Sequence, residues 1–409
     1  MVSIPKDIMF YRFSLYGFLK NLRLFEPFLI LFFLSSGLSY TEIGILYATA
    51  EISTNILEIP TGIFADIFGR KKSMLLGFSA YLLSFTIFYL TNIFYMFIVA
   101  MILFGLGDAF RSGTHKAMIL EYLKIKGISD KKVEYYGATR SASQFGSAIN
   151  SLIAGVVVFY TGDYHLIFLI TLIPYILDFI NLATYPPELD REYGKIKIAK
   201  QTKRTLKDFK GIFRNKDALK AILNSSIYDS SFKATKDYLQ PILKSFALSI
   251  PLLILLTPDR RTAVIIGIIY FFLYLLSSYS SKKSYLFVKK FKSISSAINT
   301  TYLIGAILII IAGLSYHALI FSAAIISFIL VHILFNVRRP MNVSYVSDKI
   351  SHRVMASGLS VESQFKMIFS ATFAFLIGVL SDHFGVGSAL FVIGLIVLLT
   401  YPAGRVGEK

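Results

Sequence analysis

The sequence predicts an all-α integral membrane protein in which twelve transmembrane helices form two similar six-helix bundles. Of its 409 residues, 55% are hydrophobic and only 16% are charged, whereas soluble domains usually carry about a quarter charged residues. Apolar runs of about twenty residues recur along the whole chain, long enough for helices to cross a bilayer. These runs lack the two-residue alternation of membrane β-strands, so helices are indicated rather than a barrel.

The apolar runs define the predicted spans and, through the gap between them, the predicted domains. The spans lie at about 12–34, 43–65, 73–91, 93–119, 135–160, 165–184, 219–246, 262–281, 296–314, 317–336, 354–380 and 386–402. We expect a first bundle over residues 1–185, a basic linker over 186–217 and a second bundle over 218–409. Residues 205–213 of the linker have the apolar spacing of an amphipathic helix on the membrane surface, and a solvated tether is the alternative.

Basic residues cluster in the loops after even-numbered spans and are sparse after odd-numbered ones. By the positive-inside rule, both termini are expected in the cytoplasm, with the chain crossing the plasma membrane many times. The net charge of +18 is therefore assigned to contact with anionic lipid headgroups, and no nucleic-acid partner is predicted.

The two halves share short sequence features. The tripeptide Ser-Gln-Phe at 143–145 in the fifth span recurs at 363–365 in the eleventh. A pair of glycines with the same spacing follows each copy, Gly155 and Gly162 in the first half and Gly378 and Gly385 in the second. Corresponding positions in corresponding spans support an internal duplication.

A short basic segment, residues 62–72, lies between the second and third spans. Gly62 is placed where a helix would end or turn, Asp66 and Arg70 are four residues apart, and Gly69 provides a tight bend. The pattern G-x-x-x-D-x-x-G-R-K resembles the signature loop of the major facilitator superfamily, a family of secondary transporters. The alternative is a short basic loop that only fixes orientation.

The resemblance implies a gate at this loop. In the family, the acid of the loop, here Asp66, lies against the start of the eleventh helix. The arginine, here Arg70, pairs with an acid at the inner end of the fourth helix, which Glu121 matches, and together they close the cytoplasmic side. The gate residues are thus Gly62, Asp66, Gly69, Arg70, Lys71 and Glu121. Ile67 departs from the usual basic residue, and the second half has only Lys282-Lys283 at the equivalent place.

Ionisable side chains inside the predicted spans form stripes along single helix faces. Such groups are costly in a bilayer, so they should face a cavity or a partner. The stripes are Lys20, Arg23 and Glu26 in the first span, Asp108, Arg111 and His115 in the fourth, Arg140, Gln144, Ser147 and Ser151 in the fifth, Asp229, Lys233, Lys236 and Gln240 in the seventh, and Glu362 and Lys366 in the eleventh. In the family, spans one, four, seven and ten line the central cavity, and five and eleven flank it.

Seven basic residues against four acidic ones in these stripes predict a positively charged cavity that attracts a solute with an anionic group. The candidate substrate-binding residues are Lys20, Arg23, Arg111, Arg140, Gln144, Asp229, Lys233, Lys236, Gln364 and Lys366. The candidate proton-coupling acids are Asp108, placed first because it lies near mid-membrane beside Arg111, and Glu26, Asp229 and Glu362. The alternative is that the acids and bases are ion pairs that only allow the helices to insert.

These observations lead to one functional hypothesis and several alternatives. We expect a monomeric secondary transporter that works by alternating access and exports a small organic solute with an anionic group in exchange for protons. The alternatives are an uptake symporter of an organic anion, a multidrug efflux pump and a lipid flippase on the same fold. No enzyme, catalytic residue, metal or cofactor is predicted, because the chain has no cysteine and its six histidines lack metal-ligand spacing.

Overall fold

The computed structural model of the protein describes residues 6–190, 215–349 and 355–407. Within these ranges the ordered elements are helices, and there is no β-strand. The linker helix predicted at 205–213 lies outside the described residues, as does the predicted beginning of the eleventh span at residue 354.

The described helices follow one another in chain order. They are α1 (Ile8–Lys20), α2 (Leu29–Ser35), α3 (Tyr40–Phe68), α4 (Arg70–Leu90), α5 (Phe94–Arg111), α6 (Thr114–Ile125), α7 (Lys132–Thr161), α8 (Leu166–Ala183), α9 (Lys216–Thr235), α10 (Leu239–Ser249), α11 (Pro258–Lys282), α12 (Ser284–Val288), α13 (Ile294–His317), α14 (Phe321–Lys349) and α15 (Met355–Gly404). The eleventh and twelfth predicted spans both fall in α15, which turns at Gly385.

Eight helical segments in the described part of the chain are long and apolar enough to cross a membrane, by length and composition. They are α4, α5 with α6, α7, α8, α11, α13, α14 and α15. The predicted first, second and seventh spans also fall on helices, namely α1 with α2, α3, and α9 with α10.

Packing divides the chain into two compact units. Unit 1 comprises Met1–Gly37, Thr49–Ile196 and Leu252–Leu275. Unit 2 comprises Leu38–Ala48, Lys197–Pro251 and Leu276–Lys409. In unit 1, α1 packs against α7 and α8, and α4 packs against α5 and α8. In unit 2, α15 packs against α9 and α13, and α14 packs against α9, α10 and α13. The division into two bundles at the linker stays a prediction.

The first predicted span is not one continuous helix, which corrects the expectation from its apolar run. Helix α1 ends at Lys20, a 3₁₀ turn covers Glu26–Phe28, and α2 begins at Leu29. Pro27 explains the break, because a proline ring clashes with the carbonyl four residues earlier and cannot donate a backbone hydrogen bond. That carbonyl belongs to Arg23, so the break exposes backbone groups around this arginine.

Side chains from two other helices satisfy the backbone of this break. Asn150 of α7 donates from its Nδ2 to the carbonyl of Arg23 at 2.9 Å. Tyr175 of α8 donates from its hydroxyl to the carbonyl of Lys20 at 3.0 Å. The amide of Leu24 donates to Thr171 Oγ1 of α8 at 3.2 Å. Irregular backbone is therefore tolerated here because the protein itself replaces the missing hydrogen bonds.

The seventh predicted span is broken at a matching place. Helix α9 ends at Thr235, a 3₁₀ turn covers Lys236–Tyr238, and α10 begins at Leu239. Pro241 stands four residues after Asp237, as Pro27 stands four residues after Arg23. Each unit thus contains an interrupted helix with a charged residue at the interruption.

Gly62 does not end a helix, so the prediction that it would do so is wrong. Helix α3 continues to Phe68, and the connection to α4 is reduced to Gly69. The glycine is exposed on the helix surface, where its lack of a side chain weakens the helix by only about 1 kcal/mol. Neighbouring backbone hydrogen bonds are enough to offset that cost.

Close packing of α1 and α7 depends on a glycine. A Cβ atom added to Gly146 of α7 would lie 2.7 Å from the carbonyl oxygen of Phe18 in α1, whereas one added to Gly137 would meet nothing within 4 Å. The two glycines occupy the same helix and differ in their surroundings.

We therefore expect the same substitution to change the free energy of unfolding differently at the two positions. Gly146→Ala should lower the free energy of unfolding by about 1–3 kcal/mol, because the α1 backbone must move away. Gly137→Ala should leave it unchanged or raise it by up to about 1 kcal/mol through helix propensity. Thermal unfolding of the purified protein in detergent measures both, and equal effects would contradict the close contact.

Candidate functional site

A group of charged side chains lies around the break in the first span, entirely within unit 1. This cationic cluster is defined here as Lys20, Arg23, Glu26, Asp108 and Arg111. Its members come from α1, the broken segment and α5. The sequence stripes of the first and fourth spans therefore meet in space.

Arg23 is the most enclosed cation of the cluster. Its Nε donates to the hydroxyl of Tyr175 at 2.6 Å, and its guanidinium lies 4.9 Å from the ring centre of Phe104 and 5.3 Å from that of Tyr81. Its terminal nitrogens reach Glu26 at 3.6 Å and Asp108 at 3.5 Å. Aromatic rings and carboxylates together compensate the guanidinium charge.

Asp108 connects the two arginines. Its Oδ1 accepts from Arg111 at 2.8 Å and from the hydroxyl of Tyr81, while Arg23 approaches the same oxygen. Arg111 also donates from Nε to Tyr81 at 3.1 Å. A carboxylate surrounded by two guanidiniums and a hydroxyl is stabilised in its charged form. These contacts make Asp108 a counter-ion of both arginines, and its role in proton coupling stays a prediction.

The cluster contains more positive than negative charge. The five residues as defined comprise three basic residues and two carboxylates, a formal excess of one positive charge. The buried Asp178 of α8 also interacts with Lys20. Lys20 forms no salt bridge with any acid in the described part of the chain, and its ammonium lies 6.0 Å from the ring centre of Tyr16. The side chain of Arg111 is 27% exposed against 13% for Arg23, so Arg111 is the more accessible of the two arginines.

A second group, the carboxylate cluster, lies within unit 2. It is defined as Asp229 of α9 with Glu362 and Lys366 of α15. The ammonium of Lys366 lies 2.9 Å from Asp229 Oδ2 and 2.7 Å from Glu362 Oε1. Ser225 Oγ donates to the same oxygen of Glu362 at 2.7 Å, whereas Asp229 Oδ1 is buried and makes no hydrogen bond. Two carboxylates share one lysine, which gives these three side chains a formal excess of one negative charge. The buried guanidinium of Arg338 in α14 also interacts with Asp229.

The other predicted binding residues lie outside these two clusters as defined. Arg140 on α7 and Lys233 on α9 are exposed, and Gln144 and Gln364 are half-buried. Lys236 pairs with its neighbour Asp237 at 2.9 Å. The roles of these residues in substrate binding stay predictions.

The signature segment is held by an acid that the sequence reading missed. Gly69 has a φ of 102°, and the amide of Lys71 donates to Asp190 Oδ1 at 2.7 Å. Arg70 donates to the carbonyl of Ala117 in α6 at 3.3 Å, one turn before Glu121. Pairing of Arg70 with Glu121 and contact of Asp66 with the eleventh helix stay predictions.

Asp178 of α8 is a second residue that the sequence reading missed. It is fully buried; its Oδ1 accepts from Asn181 Nδ2 at 3.2 Å, and its Oδ2 makes no hydrogen bond. An acid well inside a predicted span was the signal that could have found it. His115 lies in the same unit, stacked on Tyr16 with ring centres 3.6 Å apart.

Comparison with known sequences gives the family. A sequence model described as "Major Facilitator Superfamily" matches residues 14–363. The chain belongs to the major facilitator superfamily. It is a multi-pass membrane protein.

Two relatives of the superfamily protein are themselves described as uncharacterized MFS-type transporters. YxaM of Bacillus subtilis (strain 168) is 26% identical over 244 residues, which cover 59% of each chain. MJ1560 of Methanocaldococcus jannaschii is 21% identical over 160 residues, which cover 38% of this chain and 40% of the relative. The matches span less than two thirds of either relative's length.

Solved structures of other transporters share the fold of this superfamily member. The nucleoside transporter NupG superposes with a TM-score of 0.75 at 14% identity, covering 98% of this chain and 100% of that one. A D-xylose-proton symporter gives 0.71 at 16% identity, covering 98% of each chain. A POT family transporter in complex with 5-aminolevulinic acid gives 0.69 at 14% identity, covering 96% and 92%. At these identities the likeness shows the fold, which confirms the predicted fold class.

Removal of the shared counter-ion should be costly to stability. Asp108→Asn should lower the free energy of unfolding by roughly 3 kcal/mol, because Arg23 and Arg111 lose their common carboxylate. Adding Arg111→Gln to that variant should recover part of the loss, since one unpaired charge is removed. Thermal or denaturant unfolding measures the cycle, with the exposed Asp130→Asn as the control. Equal effects of Asp108→Asn and Asp130→Asn would refute the counter-ion role.

Proposed function

We propose that this transporter moves a small organic solute bearing an anionic group, and that the cationic cluster binds that group. The observation that carries the proposal is the excess of one positive charge at the break in the first span. Intramembrane charge is costly and is kept where it has a function. A transporter site at a broken helix is a recurrent arrangement, because the interruption frees polar groups for a substrate.

Arg111 is the group proposed to contact the solute. It is held from one side by Asp108 and Tyr81 and is more exposed than Arg23. A guanidinium can bind a carboxylate or phosphate through two parallel hydrogen bonds. Lys20 interacts electrostatically with Glu26, Asp108 and Asp178 but forms no salt bridge with an acid in the described residues. It is proposed to supply the charge that the anion neutralises.

The carboxylate cluster is proposed to carry the coupled proton. Asp229 and Glu362 both contact the ammonium of Lys366, so two carboxylates share one basic partner. One proton bound there removes the excess negative charge. This assigns coupling to two of the four predicted acids and leaves Asp108 and Glu26 as counter-ions of the arginines.

We further propose export of the solute in exchange for protons, by alternating access of the site to the two sides of the membrane. One structural neighbour is a D-xylose-proton symporter, so proton coupling is compatible with this fold. The direction of solute transport is measured in the liposome assay.

The anion proposal is tested by ligand-induced stabilisation of the purified protein. Organic carboxylates, phosphates and sulfonates are compared with neutral analogues of the same skeleton, with organic cations and with lipids. An anion at a hundred times its dissociation constant should add about 2.7 kcal/mol of stability, and Arg111→Gln should abolish this gain. The exposed Arg260→Gln on α11, outside the cluster, is the matched control and should retain it. Stabilisation only by hydrophobic cations or lipids would instead support multidrug efflux or lipid flipping.

The coupling proposal is tested in liposomes with the anion found by that screen. Glu362→Gln should abolish accumulation driven by a pH gradient but retain exchange of labelled for unlabelled anion, because binding does not require the proton site. Glu58→Gln, an acid bonded to Ser112 outside both clusters, is the control. If the anion accumulates in the liposomes while protons leave them, the result supports export in exchange for protons. If the anion and protons enter together, the result supports the uptake symporter. Normal gradient-driven transport by Glu362→Gln would refute the assignment.

A further inference from the structure

The sequence pattern of the signature segment occurs a second time, at the end of the eleventh span. Residues 62–69 read Gly-Ile-Phe-Ala-Asp-Ile-Phe-Gly, and residues 378–385 read Gly-Val-Leu-Ser-Asp-His-Phe-Gly. Both therefore have the form G-x-x-x-D-x-x-G. The place after the eighth span that corresponds to the signature segment, near Lys282-Lys283, does not carry this pattern.

The two copies also have the same backbone conformation. The last glycine of the first copy, Gly69, has φ 102° and ψ 150°. The last glycine of the second copy, Gly385, has φ 80° and ψ 158°. This region of backbone space is accessible almost only to glycine. The shared pattern therefore encodes the same turn after two different helices.

The acid of the second copy caps the start of α3. The amide of Tyr40 donates to Asp382 Oδ1 at 2.9 Å, and the amide of Thr41 donates to Asp382 Oδ2 at 2.7 Å. The first amides of a helix have no partner within the helix and carry partial positive charge. A carboxylate that binds two of them is a strong cap. This contact lies within unit 2.

Glycines bring the two helices close enough for this cap. A Cβ atom added to Gly378 would lie 2.4 Å from the carbonyl oxygen of Tyr40. A Cβ atom added to Gly44 of α3 would lie 2.4 Å from the carbonyl oxygen of Ala374. The first glycine of the pattern thus permits backbone contact, and the acid four residues later forms the hydrogen bonds.

We propose that Asp382 is a latch. It stabilises the state of the transporter that is closed on the side of the membrane where α3 begins, opposite the side of the signature segment. The start of α3 up to Ala48 belongs to unit 2, while the rest of α3 belongs to unit 1. A change that separates the start of α3 from α15 must break both hydrogen bonds to Asp382. The inference rests on the proposed alternating access and is independent of the substrate and of the coupled ion.

The latch is tested by distances between spin labels, for which the absence of native cysteine is an advantage. Tyr160→Cys and Ile320→Cys place one label in each unit on the side where Asp382 is predicted. Lys124→Cys and Lys290→Cys do the same on the signature-segment side. All four side chains are exposed. Distance distributions are recorded for the protein in lipid nanodiscs without any substrate.

Loss of the cap should shift the population toward the state open on the Asp382 side. In Asp382→Ala the ratio of long to short distances for the first pair should rise about fivefold, the change expected from loss of a typical helix cap. Asp163→Ala is the matched control, because Asp163 accepts from the amide of His165 at 2.7 Å at the start of α8 within unit 1. It should leave the ratio unchanged.

Two more variants separate the latch from a folding defect. Asp382→Asn keeps a side-chain oxygen as acceptor and should shift the ratio in the same direction by less. Asp66→Ala should open the other side and move the second pair of labels instead. An unchanged ratio in Asp382→Ala, or an equal shift in Asp163→Ala, would overturn the latch. A single fixed distance for both pairs in the unsubstituted background would refute alternating access itself, and the latch with it.

Discussion

Every backbone amide and carbonyl in the membrane interior needs a hydrogen-bond partner, and the architecture of unit 1 depends on how this requirement is met at one proline. Pro27 interrupts the first span and leaves the backbone around Arg23 without helical partners. Asn150, Thr171 and Tyr175 supply the missing bonds from α7 and α8. The same arrangement places the arginine between carboxylates and aromatic rings. The side chains that complete the backbone hydrogen bonds therefore also shape the charged site.

The two charged clusters are complementary in sign. The cluster around Arg111 carries one excess positive charge, and the cluster around Lys366 carries one excess negative charge. Binding an anion at the first and a proton at the second leaves both formally neutral. A loaded transporter would then move no uncompensated charge through the low-dielectric interior, where the cost of such charge is highest.

Sequence spacing was sufficient for contacts within one helix and insufficient for contacts between helices. The i, i+3 spacing indicated the pair of Asp108 and Arg111, and the i, i+4 spacing that of Glu362 and Lys366; both pairs form. The approach of Lys366 to Asp229 depends on how α9 and α15 pack, which no local pattern encodes. The break at Pro27 was missed because the apolar run continues through it and hides the interruption.

The length of α3 sets the spacing between two functional positions near its ends. Thr41 donates to Asp382 at one end, and Asp66 belongs to the signature segment at the other. These two residues are separated by about seven helical turns, so they face the same direction. A single inserted or deleted residue would rotate one end relative to the other by about 100°. Because each added residue also lengthens the helix by about 1.5 Å, contacts at the two ends would constrain both the length and the rotational register of α3.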